Sequence, residues 1–187
     1  MSTRDLVLTA LFTAIIIALG IIPPITLAFV PVPITAQSMG VMLAGCIIGA
    51  KRGALAYLLL ILMVAVGLPV LSGGRGGLAV LAGPTAGYIA GWVVGTFVTG
   101  IVAERLVRET QGSLRQIAGF AAASLIGGIG IVYTMGIVWL AISTGMGVDK
   151  AVLANVAFIP GDLLKVATAA LAARAVLAGY PLLPQRA

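Results

Sequence analysis

The sequence predicts an all-α membrane protein with six transmembrane helices in a single domain that covers residues 1–187. The first observation is composition: 61% of the residues are hydrophobic and 9% are charged, whereas a soluble domain carries about 25% charged residues. The second is a mean hydropathy of +1.20. The third is that no polar block is large enough to form a separate soluble domain. We therefore expect a multi-pass protein of the cell membrane, in contact with the lipid bilayer.

The ionisable and nucleophilic residues exclude several other classes of protein. The net charge of +6 comes from basic residues scattered at predicted helix ends, so we expect no nucleic-acid partner. The chain has no histidine and a single cysteine, Cys46. An internal disulfide, a Cys/His metal site and the usual nucleophile–base pairs of enzymes are thereby excluded. No Walker A sequence occurs, so we expect no ATP hydrolysis by this chain. We also expect no cofactor.

The first apolar segment, residues 6–22, is predicted to be a retained helix. A cleaved secretory signal would end at an Ala-x-Ala site, whereas this segment ends at Pro23 and Pro24. Ser2 and Asp5 precede it at the spacing of a capping box, which is typical of a helix start.

Six segments are apolar enough to cross a bilayer, which takes about 20 residues, or fewer when other helices surround the segment. The predicted spans are residues 5–22, 36–50, 53–71, 84–103, 116–142 and 160–179. The second and third are separated only by residues 51–53, Lys-Arg-Gly, which predicts a tight turn there.

The distribution of lysine and arginine predicts that both termini are cytoplasmic. In that orientation eight basic residues fall on the inner side and three on the outer side, in agreement with the positive-inside rule. The inner residues are Arg4, Lys51, Arg52, Arg105, Arg108, Arg115, Arg174 and Arg186. The outer residues are Arg75, Lys150 and Lys165.

Three segments rich in proline and glycine then lie on the outer side. They are residues 23–37, 67–88 and 143–162, called loops 1, 3 and 5 below. All three are apolar, although exposed loops are usually hydrophilic. Non-helical backbone near membrane depth is tolerated where protein buries it or where it lines a cavity. We therefore expect an outward-facing ligand pocket covered by loops 1, 3 and 5.

Two predicted helices carry small residues at every fourth position, a spacing that puts them on one face and permits close helix packing. In the fourth span they are Gly83, Gly87, Gly91 and Gly95, which we interpret as packing within the bundle. In the first span they are Ala10, Ala14 and Ala18. This second set indicates either internal packing or a docking face for another membrane protein.

Asp162 and Lys165 stand one helical turn apart at the head of an apolar span. They form either a helix cap with an ion pair, or part of a substrate path, because ionisable residues inside membrane proteins usually line one. Asp supplies hydrogen-bond acceptors and Lys supplies donors. The pair therefore matches a ligand with adjacent N–H and C=O groups, such as a cyclic urea. Arg75, in a glycine-rich turn, is either a solvated charge or a clamp for a carboxylate.

Four stretches of sequence resemble the biotin-specific substrate-binding subunit of energy-coupling factor transporters, the BioY family. They are VPVPITAQ (30–37), GLPVLSGGRGG (67–77), GPTAGY (83–88) and FIPGDLLKV (158–166). The similarity covers nearly the whole chain, in the same order and with the same six-span plan.

The resemblance implies a subunit that binds biotin from outside with high affinity. A membrane coupling protein and two cytoplasmic ATPases would supply the energy for uptake. By the family pattern, Asp162 and Lys165 hold the ureido ring. The further residues expected near the ligand are Arg75, Tyr88 and Gln37, to which we add Asn155 from its position in loop 5. The alanine face of the first span is expected to dock the coupling protein.

The main alternative is a proton- or sodium-coupled carrier for a small polar solute, with Asp162 as the titrating group. It predicts that dissipating the ion gradient abolishes uptake. It also favours inverted repeats, which we do not detect in the sequence. An intramembrane enzyme is not favoured, because the chain lacks histidine, paired carboxylates and a serine–base pair.

Overall fold

The computed structural model describes residues 2–28 and 30–184. Arg186, counted above on the inner side, lies outside them. Most of the described chain is helical. The helices are α1 (Thr3–Ile21), α2 (Met39–Ala65), α3 (Leu78–Ala82), α4 (Ala86–Leu106), α5 (Ser113–Ala123), α6 (Val132–Thr144), α7 (Val148–Val156) and α8 (Ile159–Gly179). A π-helical stretch, Ser124–Ile131, joins α5 to α6, and a short 3₁₀ turn, Ala36–Ser38, precedes α2.

Four helical stretches of the described chain are long and apolar enough to cross a membrane. They are Thr3–Ile21, Ala36–Ala65, Ala86–Leu106 and Ser113–Thr144. The count becomes five if α7 and α8, which are bent by 56° at a short break, form one span. The prediction of a helical membrane protein is thereby confirmed, with four to five candidate spans by this measure.

Helix α2 folds back on itself at Gly49, whose φ of 81° belongs to the left-handed region that glycine favours. The hydroxyl of Tyr57 donates to the carbonyl of Gln37 at 2.7 Å. In a straight helix twenty residues span about 30 Å, so residues 39–48 and 50–65 run side by side. The predicted turn at 51–53 is thus a few residues too late. The Glu104 carboxylate accepts the Ala50 N–H at 2.8 Å and caps the returning arm.

Loops 1, 3 and 5 contain regular structure that the sequence did not predict. Loop 1 contains a two-stranded antiparallel hairpin, β1 (Ile25–Leu27) and β2 (Val30–Ile34), so the all-α prediction holds for the bundle but not for this loop. Loop 3 begins at Gly67 as expected, where a φ of 96° follows the end of α2. The predicted third span, 53–71, therefore ends too late. Loop 5 contains α7.

The glycine spacing in α4 produces close helix packing, as predicted. A Cβ built on Gly87 would overlap Trp139 of α6, and one on Gly95 would lie 2.7 Å from the carbonyl of Gly127 in the π-helical stretch. Gly91 likewise faces α6, since its Cβ would meet Val132. Gly83 precedes α4.

The alanine face of α1 is not used for packing within the described chain. The core side of this helix is formed by Leu8, Phe12 and Ile16. Ala10, Ala14 and Ala18 are all exposed. Of the two interpretations of their spacing, internal packing is therefore wrong, and the face is free to meet lipid or another protein.

Candidate ligand-binding cavity

A cavity lies where loops 1, 3 and 5 meet the N-terminal ends of α4, α6 and α8. Apolar and aromatic side chains form most of its wall, as is usual for small-molecule sites. Its lining consists of Val32, Pro33, Ile34, Thr35, Ser38, Leu71, Arg75, Thr85, Tyr88, Ile89, Trp92, Gly128, Val132, Tyr133, Phe158, Asp162 and Lys165. Two of these residues are cationic and one is anionic, so the lining carries a net charge of +1.

The charged end of the cavity is built by the first turn of α8. Pro160 starts this helix, where its missing N–H costs nothing. Asp162, 6% exposed, and Lys165 then project from one face and form an ion pair of 2.6 Å. The other carboxylate oxygen of Asp162 accepts the hydroxyl of Tyr133 at 2.8 Å.

The ammonium of Lys165 joins α8 to loop 1. Besides Asp162, it donates to the Thr35 carbonyl at 2.9 Å and to Ser38 Oγ at 2.8 Å. These three bonds use all three donors of the ammonium. A ligand carbonyl can therefore reach Lys165 only by replacing one of these acceptors.

The Asp162 carboxylate retains unused acceptor capacity. Its two oxygens offer about four lone-pair sites, and within the described chain the bonds to Lys165 and Tyr133 occupy two of them. Ligand N–H groups can thus bind Asp162 without breaking the ion pair. The two members of the predicted site differ in this respect.

Arg75 is presented to the cavity by a tight hairpin in loop 3. Leu71 and Arg75 bond to each other's backbone at 3.0 and 3.2 Å, and Gly73 and Gly74 supply the positive φ angles that the turn needs. The Arg75 Nε donates to the Ser72 carbonyl at 3.1 Å. Partial burial lowers the pKa of Arg75 from its ordinary value, yet a guanidinium keeps its charge. Its terminal nitrogens point to no hydrogen-bond partner among residues 2–28 and 30–184, which leaves them for an anionic ligand.

Tyr88 lines the cavity, but its hydroxyl is already bonded within the protein. It donates to the Asn155 side-chain oxygen at 2.9 Å, while the Asn155 amide donates to the Ala151 carbonyl at 2.8 Å. Asn155 is 2% exposed and lies behind the lining. The Phe158 ring packs edge-on between Tyr88 and Tyr133 with centroids 6.4 Å from each. Tyr88 therefore offers an aromatic surface, and Asn155 fixes α7 to α4.

Gln37 also lies behind the lining, where it is fully buried. Its amide nitrogen donates to the carbonyls of Ile16 and Val70, and its amide oxygen accepts the Ser72 N–H. Of the six ligand residues expected from the sequence, the structure brings four to the cavity wall. Gln37 and Asn155 support the wall from outside.

Several residues of the wall were not predicted. Tyr133 is a phenol in an apolar span, and that polarity was the signal available for it. Ser38 follows the expected Gln37 directly. The Thr35 carbonyl left no signal, because a backbone group has no sequence signature. Trp92 resembles an ordinary apolar residue of a membrane span, and Phe158 an ordinary apolar residue of loop 5.

Comparison with known proteins agrees with this architecture. The sequence profile of the BioY family matches residues 1–182. A protein of Rhizobium etli named biotin transporter BioY is 61% identical over 187 residues, which are 100% of both chains. A biotin transporter BioY of Rhodobacter capsulatus is 48% identical, covering 92% of this chain and 93% of its own.

A solved structure shares the fold. The crystal structure of the S-component for biotin from an ECF-type ABC transporter superposes with a TM-score of 0.87 at 33% identity. The match covers 94% of each chain. With a family profile that spans nearly the whole sequence, and with relatives at these identities, the chain belongs to the BioY family.

Proposed function

We propose that this chain is the biotin-binding membrane subunit of an energy-coupling factor transporter and takes biotin from outside the cell. The observation that carries the proposal is the Asp162–Lys165 pair at 2.6 Å, which lies in the wall of an otherwise apolar and aromatic cavity. Charge in such surroundings is costly and is usually kept for a substrate. The relatives named biotin transporter are transport proteins and not enzymes, and we assign this chain to the same class.

The chemistry of the lining matches the parts of biotin. The ureido N–H groups bind the open acceptor sites of Asp162, and the ureido carbonyl replaces one acceptor of Lys165. Trp92, Phe158 and Ile89 surround the fused ring and its thioether, which need apolar contact. Arg75 binds the carboxylate of the valeryl chain. A lining of net charge +1 suits a ligand that carries one negative charge.

Six membrane crossings with both termini in the cytoplasm are the proposed topology. The reversal of α2 at Gly49 supports two short crossings in place of one helix. The bend between α7 and α8 supports α8 as the final crossing, with α7 lying over the cavity. The placement of loops 1, 3 and 5 around one cavity supports their role as its cover. The protein is a multi-pass protein of the cell membrane.

The energy for uptake comes from partners, namely a membrane coupling protein and two ATPases. The exposed face of Ala10, Ala14 and Ala18 is the proposed docking site for the coupling protein. Small side chains let a partner helix approach closely, which strengthens van der Waals contact in lipid.

The topology predicts the side of the membrane on which a fused reporter is active. Reporters placed after Arg52, after Arg115 and at the C-terminus are expected to be active in the cytoplasm, and one after Gly74 outside. The measurement is a paired assay with alkaline phosphatase and green fluorescent protein fusions. If the reporter after Arg52 is active outside the cell, the two arms of α2 on either side of Gly49 are not two membrane crossings.

The binding site predicts large losses of affinity from two conservative changes. Asp162→Asn replaces an acceptor oxygen by a donor that faces ligand N–H groups, and Lys165→Met removes the charged donor. A hydrogen bond to a charged group contributes about 1.5–3 kcal/mol, so each variant should bind biotin about 10- to 100-fold more weakly. Isothermal titration in detergent measures this.

The matched controls for these variants are Asp149→Asn and Lys150→Met. These residues form a neighbouring acidic–basic pair on α7, are exposed and lie outside the cavity lining. They should bind biotin like the parent. Parental affinity in monodisperse Asp162→Asn and Lys165→Met protein would mean that the pair is only a helix cap.

The docking face predicts a defect in assembly rather than in binding. Ala14→Leu adds bulk where a partner helix must approach, so co-purification with the coupling protein should fall while biotin affinity is kept. Ala167→Leu, at an exposed position of α8, is the control and should leave both unchanged. If Ala14→Leu assembles like the control, this face meets only lipid.

A further inference from the structure

The side chain of Gln37 connects three separate parts of the protein. It is fully buried, and its amide nitrogen donates to the Ile16 carbonyl of α1 at 3.2 Å and to the Val70 carbonyl of loop 3 at 2.9 Å. Its amide oxygen accepts the Ser72 N–H of loop 3 at 2.8 Å. Both amide hydrogens are thereby used. Gly20 gives it room, since a Cβ there would lie 2.6 Å from the amide nitrogen.

The two segments that the Gln37 amide joins each contact one cationic end of the cavity. Thr35 and Ser38, two residues before and one after Gln37, hold the Lys165 ammonium at 2.9 and 2.8 Å. On the other side, the Ser72 carbonyl accepts the Arg75 Nε at 3.1 Å. Within the described chain, Gln37 is the side chain that bonds the Arg75 hairpin to the segment that holds Lys165.

Other contacts of the hairpin do not replace this connection. Ser72 Oγ donates to the Ile22 carbonyl at 3.1 Å, which ties loop 3 to α1 and not to the Lys165 segment. Gly67 and Gly77 flank the hairpin with φ angles of 96° and 85°, and a Cβ on either would meet nothing within 4 Å. The base of the hairpin is tied to α2, because the N–H groups of Gly67 and Gly77 both donate to the Val64 carbonyl, at 3.0 and 2.8 Å. These bonds do not reach the Lys165 segment, so the distance between that segment and the hairpin is set by Gln37.

We infer that Gln37 is a positioning residue that fixes the separation of the Lys165 and Arg75 ends of the cavity, and so selects the length of the ligand. The inference rests on the proposed function, because it takes the ureido ring to lie at one end and the carboxylate at the other. Gln37 acts through Arg75 and Lys165 and touches no ligand itself, in contrast to the contact expected from the sequence.

The test compares ligands that differ in the length of one chain. Norbiotin and homobiotin carry side chains one methylene shorter and longer than that of biotin. The parent should bind biotin about tenfold more tightly than either analogue. Gln37→Met, which keeps the shape but loses all three side-chain hydrogen bonds, should bind the three ligands within about threefold of each other, because the hairpin is no longer held at one distance.

The matched control is Gln116→Met. Gln116 is also buried, at 6% exposed, and its amide donates to the carbonyls of Arg108 and Glu109 at 3.0 and 3.2 Å. Gln116→Met therefore removes side-chain amide hydrogen bonds like those of Gln37, but at a position outside the cavity. A lower melting temperature is expected of both variants, but only the Gln37 variant should lose the preference for length. This separates positioning from a general effect on stability.

Two further variants test the same role of Gln37 if Gln37→Met does not fold. Gln37→Glu still offers an acceptor to the Ser72 N–H, so it should retain part of the length preference. Gln37→Glu is also made in a protein that already carries Arg75→Ala. There it should lower biotin affinity by at most about a third of the fold-change that it produces in the parent, because its effect passes through Arg75.

The outcomes separate the two proposals. A parent that does not bind biotin contradicts the proposed function. A parent that binds biotin but does not distinguish the three lengths overturns the inference alone. Parental length preference in the Gln37 variants, or an equal loss of affinity with and without Arg75, also overturns it and leaves the proposed function in place.

Discussion

The ion pair between Asp162 and Lys165 is the interaction on which the cavity depends. Removing one partner of a buried pair costs several kcal/mol, because it leaves an uncompensated charge. Here the ammonium also takes the Thr35 carbonyl and Ser38 Oγ, so α8 and loop 1 are joined through one charge. The Asp162 carboxylate is bonded to both Lys165 and Tyr133 in this arrangement. The alternative, an ion-coupled carrier in which Asp162 titrates, would need this carboxylate to change its partners in each cycle.

The cavity follows from how short elements close over that charge. The reversal at Gly49 accompanies a placement of the start of α2, and with it residues 35–38, beside the N-terminal end of α8. Small residues let α4 lie against α6 and the π-helical stretch, which leads into α6 and Tyr133. Such stretches occur often at functional sites. The polar side chains that support the cavity wall, Gln37 and Asn155, are hydrogen-bonded behind it. The wall itself therefore offers few polar atoms to a ligand.

The sequence predicted the features that are conspicuous in an apolar background. Asp162, Lys165 and Arg75 stood out because charge is rare in such chains, and all three line the cavity. The features it did not predict depend on tertiary contacts. The turn of α2 lies at Gly49 and not at the basic residues, because a glycine φ angle and the Glu104 cap decide it. Gln37 was expected at the ligand, yet its amide is used between segments that are far apart in sequence.

The most direct test of the account is a calorimetric titration of the purified protein with biotin, desthiobiotin and thiamine. Desthiobiotin keeps the ureido and carboxylate groups and lacks the thioether ring, whereas thiamine is a cation without either group. The account predicts that biotin binds tightly, that desthiobiotin competes for the same site more weakly, and that thiamine gives no binding heat. Thiamine binding, or the absence of biotin binding by monodisperse protein, would contradict it.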